Sequence, residues 1–122
     1  MKKLLIILIA IVALYPQRVR ADEPFKGYAT VYSLEGKTKL NTDTRYGICA
    51  TGNKELLGKY VVIFQRLPND SKGDCLGIFH VEDTGCKENV IDIWCPAEWQ
   101  NMIIDKTYEN GCGGKIYIQV VE

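Results

Sequence analysis

Short runs that alternate apolar and polar residues, separated by turns rich in glycine, asparagine and aspartate, cover most of this chain. β-Branched and aromatic residues are frequent in six such runs, at residues 27–33, 47–50, 59–66, 75–82, 90–94 and 115–121. These residue types favour extended backbone, so the runs predict β-strands. Turn-forming residues fill positions 67–74, and the two runs that flank them are predicted to form a hairpin.

One segment, residues 96–109, has a helical pattern instead. Pro96 suits a first helical position, and Trp99, Met102 and Ile103 share one face at helical spacing. We therefore predict one short helix before the last strand, with this face in the core. About six strands and one helix fit a small barrel, because closure of a sheet removes its exposed edges.

The first 21 residues have the features of an export signal. Lys2 and Lys3 precede an apolar run from Leu4 to Leu14, and Ala21 ends a small-residue cleavage site. Eleven residues at ~1.5 Å each span only about half of a ~30 Å hydrocarbon core, which favours a cleaved signal over a membrane span. An uncleaved anchor is the alternative. The remaining residues, 22–122, are enough for one domain and too few for two.

The charge balance argues against nucleic acid as a partner. The whole chain has 15 basic and 15 acidic residues, and removing residues 1–21 takes away four of the basic ones and none of the acidic ones. The remaining domain is mildly acidic, at −4, and has no electrostatic reason to bind nucleic acid or an anionic membrane surface. We expect a monomer with no membrane span after signal cleavage.

All five cysteines follow the predicted signal, at Cys49, Cys75, Cys86, Cys95 and Cys112. In an oxidising compartment an odd number predicts one or two disulfides and a leftover thiol. Reduced cysteines that act as small core residues are the alternative. Only one histidine and no Cys-x-x-Cys pair are present, so we expect no metal and no cofactor.

Two aspartates, Asp83 and Asp92, stand nine residues apart at the edges of neighbouring predicted strands. The turn between them begins at Thr84 and Gly85, so the strand–turn–strand unit can bring both carboxylates toward one cleft. Two carboxyl groups in one cleft suit acid/base chemistry on a glycosidic bond. The alternatives are a turn-capping role for Asp83 and a paired structural role for Asp92.

The order of motifs resembles the three-aspartate (3D) domain along nearly all of residues 22–122. The resemblance is carried by Val81-Glu82-Asp83-Thr84-Gly85, then Val90-Ile91-Asp92-Ile93-Trp94, and by the opening Gly27-Tyr28-Ala29-Thr30-Val31-Tyr32. Relatives of that family include the catalytic region of membrane-bound lytic transglycosylase A and, more distantly, rare lipoprotein A-like and expansin-like domains. The resemblance implies a six-stranded double-psi β-barrel that acts on bacterial peptidoglycan glycan strands.

The resemblance also assigns roles to residues. It implies that Asp92 is the catalytic acid and base and that Asp83 lies beside it. Burial beside Trp94 and the charge of Asp83 could then raise the pKa of Asp92, and Asp83 would hold substrate. Thr84 and the Gly85 amide would orient that aspartate, and three aromatic residues could stack on sugar faces: Tyr28, Tyr32 and Trp94. Half-buried packing is the alternative for the two tyrosines. The family's first aspartate falls near Thr51, so two of the three are present.

These features lead to three functional hypotheses. The first is an exported, wall-associated bacterial lytic transglycosylase that cleaves the β-1,4 bond between N-acetylmuramic acid and N-acetylglucosamine and leaves a 1,6-anhydro product. The second is an expansin-like module that binds cell-wall glycan without cutting it. The third is a structural domain of the cell surface in which Asp83 and Asp92 only brace turns.

Overall fold

A ring of six β-strands forms the framework of the protein in the computed structural model, which describes residues 23–121. The predicted export signal lies outside these described residues. Among residues 23–121, no helix is long and apolar enough to cross a membrane.

The elements follow the order that the sequence pattern predicts. The strands are β1 (Phe25–Tyr32), β2 (Ile48–Thr51), β3 (Tyr60–Arg66), β4 (Lys72–Thr84), β5 (Val90–Trp94) and β6 (Lys115–Val121), and the helix is α1 (Gln100–Tyr108). Three single 3₁₀ turns occur at Lys54–Leu56, Ala97–Trp99 and Glu109–Gly111. The prediction of a mainly β chain with six strands and one short helix is therefore confirmed.

The sheet closes in the order β1-β5-β2-β4-β3-β6. Two neighbouring pairs, β1–β5 and β2–β4, are parallel, and the other pairs are antiparallel. β3 and β4 form the predicted hairpin. This order places β1, β5, β2 and β4 side by side. The candidate site lies on this part of the ring.

The inside of the ring is filled by every second residue of the strands. Pairs of fully buried aliphatic side chains come from several strands: Val61 and Ile63, Ile91 and Ile93, Ile116 and Ile118. Each such side chain contributes roughly 1.5–3 kcal/mol on burial. Because side chains alternate between the two faces of a strand, the residues between these pairs must point outward.

The helix differs from its prediction at its start and in its buried face. Pro96 precedes a 3₁₀ turn, and α1 itself begins at Gln100. Ile103 packs against the core and Thr107 is buried, whereas Trp99 and Met102 are 40% and 56% exposed. The predicted core positions of Trp99 and Met102 are wrong because the helix turns its Ile103–Thr107 face to the barrel.

All five cysteines are free thiols in this structure, so the predicted disulfides are not formed here. Cys49, Cys95 and Cys112 are buried, and Cys49 belongs to the main hydrophobic core. Buried cysteines of this kind fit the alternative of small core residues.

Candidate functional site

Ala50 lies between the two aspartates. The antiparallel β2–β5 pair places it opposite Asp92, and the parallel β2–β4 pair places it opposite Asp83. Neighbouring strands are ~4.8 Å apart, so the two aspartate Cα atoms are separated by roughly 10 Å. Paired residues project from the same face of a sheet. Both carboxylates therefore project from the outer face of the barrel, one on each side of Ala50.

A β-bulge in the β2–β4 pair gives Asp83 its direction. The register shifts after Cys49, which pairs with Val81, and the next residue of β2 pairs with Asp83. Glu82 is thus an extra residue in the ladder. Regular alternation would point Asp83 inward with Val81, and the extra residue turns it to the same side as Asp92.

Asp92 is held by a hydroxyl on the neighbouring strand. Thr30 lies opposite it in the β1–β5 pair, and the Thr30 hydroxyl donates to Oδ1 at 2.8 Å. Among residues 23–121 no other side chain bonds to this carboxyl group, so Oδ2 has no side-chain partner there. Burial raises the pKa of Asp92, and the bond from Thr30 opposes the rise. The expected contribution of the Asp83 charge is not among the causes of this shift.

Asp83 is fixed by the backbone. Its Oδ1 accepts from the amide N–H of Lys39 at 3.2 Å and from that of Thr84 at 3.0 Å. The bond from the Thr84 amide also fits the turn-capping alternative for Asp83, and the Gly85 amide donates to the Thr51 carbonyl at 3.3 Å. The Lys39 contact also fastens the long connection between β1 and β2 over this carboxylate.

The Tyr32 hydroxyl links the two aspartates electrostatically. This oxygen is buried and has no hydrogen-bond partner in the part of the chain that the structure describes. Burial raises the pKa of Tyr32, and the negative charges of Asp83 and Asp92 raise it further. Both carboxylates therefore disfavour ionisation of this hydroxyl, and Tyr32 remains protonated.

The other two predicted aromatic residues differ in accessibility. Tyr28 is 44% exposed, with the Arg66 guanidinium 5.6 Å from its ring centroid. Trp94 is 8% exposed, and its indole N–H donates to the Leu34 carbonyl at 2.9 Å. Its ring packs against the protein and offers little surface to a sugar.

The resemblance puts the family's first aspartate near Thr51. This residue is fully buried, and its hydroxyl donates to the Glu88 carbonyl at 3.4 Å. The neighbouring Gly52 lies so close to the β4–β5 loop that an added Cβ would stand 2.5 Å from the Cys86 carbonyl oxygen. This close contact holds the loop that joins Asp83 to Asp92.

Next to Asp83, the structure contains a charge cluster around a buried glutamate. Glu82 is 1% exposed and accepts two bonds from Arg45, at 2.9 and 2.7 Å. The Thr42 hydroxyl also donates to it, and His80 Nδ1 lies 2.7 Å away. The Arg45 bonds, helped by Thr42 and His80, lower the pKa of Glu82 to about 2 despite its burial. The bulge that buries Glu82 leaves no signal in the sequence.

No family model matches this chain, and no curated protein matches it. Among the described residues, no three His, Cys, Asp or Glu side chains are grouped so that they could hold a metal ion. What the chain does must be inferred from Asp92, Thr30, Asp83 and Tyr32.

Proposed function

We propose that this domain acts on the glycan strands of bacterial peptidoglycan as a lytic transglycosylase, with Asp92 as general acid and base. One observation carries the proposal: a half-buried carboxyl on the outer face of the barrel has a raised pKa and a hydrogen bond from Thr30 on one oxygen. A raised pKa favours the protonated carboxyl, which can protonate a leaving oxygen.

The resemblance to the three-aspartate family supports the same assignment. We propose the double-psi barrel as the finer description of the six-strand ring, and its two parallel strand pairs among antiparallel ones are compatible with it. The residue that matches the family's catalytic aspartate is Asp92, and Asp83 lies on the other side of Ala50.

The proposed reaction consumes no water. Asp92 donates its proton to the glycosidic oxygen as the bond from C1 of N-acetylmuramic acid breaks. The 6-hydroxyl of the same sugar then attacks C1, and the Asp92 carboxylate accepts the hydroxyl proton. The products are a 1,6-anhydro end and a free 4-hydroxyl, and Asp92 is protonated again for the next cycle.

Asp83 would position the glycan in this scheme. It is held by two backbone amides, so it offers a fixed acceptor for sugar hydroxyls or amides. The Tyr32 hydroxyl is buried, so it has no direct contact with the sugar in this scheme.

The decisive experiment is to incubate the purified domain with peptidoglycan and to analyse the soluble products by mass spectrometry. Anhydro-muropeptides are expected from the wild type and are expected to disappear with Asp92→Asn. Asp105→Asn, on the exposed side of α1, is the matched control and should retain activity. Products that persist at the wild-type rate in Asp92→Asn would contradict the assignment.

A glycan-binding module without cleavage is the second candidate, and one observation favours it. The position of the family's first aspartate holds Thr51, which is fully buried and bonded to the Glu88 carbonyl. The chain therefore has two of the family's three aspartates. Retention of the domain on insoluble peptidoglycan with no soluble product would support this candidate.

A further inference from the structure

A cleft of about 350 Å³ lies between β1 and α1. Thr30 forms part of its β1 wall, and Gln100, Ile104 and Tyr108 line the helix side. This volume is at the lower end of the range for small-molecule pockets, about 300–1,000 Å³. The cleft is large enough for one small ring and too small for a folded partner.

The cleft opens directly beside the proposed catalytic carboxyl. Thr30 lines the cleft, and its hydroxyl is the group that donates to Asp92 Oδ1. A glycan chain lying over Asp92 would therefore meet this cleft next as it crosses β1 toward the helix.

The chemistry of the lining suits a sugar ring. Tyr108 is 58% exposed and Ile104 is 36% exposed, so together they offer an apolar surface to the C–H face of a sugar. Gln100 donates through Nε2 to the Ser33 hydroxyl at 2.8 Å. This bond holds the side-chain amide in place and leaves Oε1 able to accept from a hydroxyl or an acetamido N–H.

We propose that the cleft between β1 and α1 is a subsite for the N-acetylhexosamine that adjoins the pair of sugars joined by the bond at Asp92. The inference rests on the proposed action on glycan. It adds that the domain recognises at least one sugar beyond the pair it would separate, and that Tyr108 is a residue that determines chain-length preference.

The test is a titration of ¹⁵N-labelled Asp92→Asn protein, which cannot cut, with peptide-free peptidoglycan fragments of two and four sugars. The tetrasaccharide is expected to shift the backbone amides of Thr30 and position 92 together with those of Ile104 and Tyr108. Tyr108→Ala, made in the same background, should weaken tetrasaccharide binding by roughly fivefold to tenfold. It should change disaccharide binding by less than about twofold.

The matched control is Tyr60→Ala, which removes another half-exposed tyrosine, from β3. If Tyr108→Ala weakens tetrasaccharide binding no more than Tyr60→Ala does while Thr30 and position 92 still shift, the subsite is refuted and the proposed function stands. If neither fragment shifts Thr30 or position 92, the proposed function fails and the subsite with it. Shifts confined to α1 would refute the continuity of the two sites.

A second variant, Ile104→Gln, tests the same cleft if Tyr108→Ala does not fold. Ile104→Gln places a polar group in the cleft from a helix position that is 36% exposed. The same selective loss of tetrasaccharide affinity is expected, and an unchanged affinity in a folded Ile104→Gln protein overturns the subsite.

Discussion

The Thr30 hydroxyl donates to Oδ1 of Asp92 across the parallel β1–β5 pair, at 2.8 Å. Burial raises the pKa of this carboxyl, and the bond lowers it because the bond favours the anion. The protonation state of the proposed acid is thus set by two opposing effects, one from the barrel surface and one from a single side chain.

Replacing Thr30 should change the pKa of Asp92. Thr30→Val keeps the shape and loses the donor, so the pKa of Asp92 is expected to rise further, whereas Thr30→Ser should keep it near the wild-type value. A ¹³C NMR titration of the Asp92 carboxyl measures this without any substrate. If the domain is lytic, the pH at which its activity falls on the alkaline side should also be higher in Thr30→Val. An Asp92 pKa that is equal in Val and Ser variants would rule out the proposed control by Thr30.

Asp92→Asn should stabilise the protein at neutral pH. The folded-state pKa of Asp92 is raised, so the folded protein binds this proton more tightly than the unfolded chain does. Its unfolding free energy therefore falls as pH rises from the unfolded value, about 3.9, through the folded one. Asparagine does not ionise, so the variant does not lose this unfolding free energy as pH rises. Its side-chain oxygen can still accept the hydrogen bond from Thr30. Urea unfolding at pH 7 and pH 3 should show the variant more stable at pH 7 and the difference much reduced at pH 3.

Glu82 should make the protein sensitive to acid. Its pKa is lowered from 4.5 to about 2, mainly by Arg45, so its stabilising effect is complete above pH 4.5 and is lost as pH falls toward 2. The linked free energy is at most about 3 kcal/mol, and less after screening of the half-exposed Arg45. Glu82→Gln should lower the unfolding free energy at pH 7 by about 2 kcal/mol and flatten its pH dependence below 4.5. The exposed Glu98→Gln should change it by less than about 0.5 kcal/mol.

Gly52→Ala should disturb the loop between the two aspartates. The new Cβ would stand 2.5 Å from the Cys86 carbonyl oxygen and 2.7 Å from the Lys87 carbonyl carbon, and both are backbone atoms that cannot rotate away. A cost of about 1–3 kcal/mol is expected, with shifted amide signals at Asp83 and Asp92. Gly85→Ala is the comparison, because it strains a positive φ but meets nothing within 4 Å. A Gly52→Ala melting temperature equal to that of the wild type would contradict the close packing.

Thiol labelling should separate the five cysteines into two groups. Cys75 and Cys86 are exposed and should react quickly in the native protein, while Cys49, Cys95 and Cys112 are buried and should react only after unfolding. Burial also raises the pKa of Cys49 to about 12, which slows its reaction further. Five thiols are expected in the unfolded, unreduced protein. A smaller number there would mean that the predicted disulfides form after all.

Local patterns in the sequence determined the strands, the helix and the outward direction of Asp92. Asp92 lies between Ile91 and Ile93, which are buried in the core. Because side chains alternate between the two faces of a strand, Asp92 must point outward. The hairpin of β3 and β4 followed from the turn residues between them. The family resemblance marked Asp83 and Asp92, and the structure places them on either side of Ala50.

Only the tertiary structure decided how these parts meet. The bulge at Glu82 points Asp83 outward and buries the glutamate under Arg45, and the β1–β5 register brings Thr30 to Asp92. Packing of α1 on Ile103 and Thr107 left Trp99 and Met102 exposed. Side-chain alternation is a property of neighbouring residues, so it can be seen in the sequence. Register, bulges and helix rotation depend on contacts between segments far apart in the chain, and no local pattern encodes them.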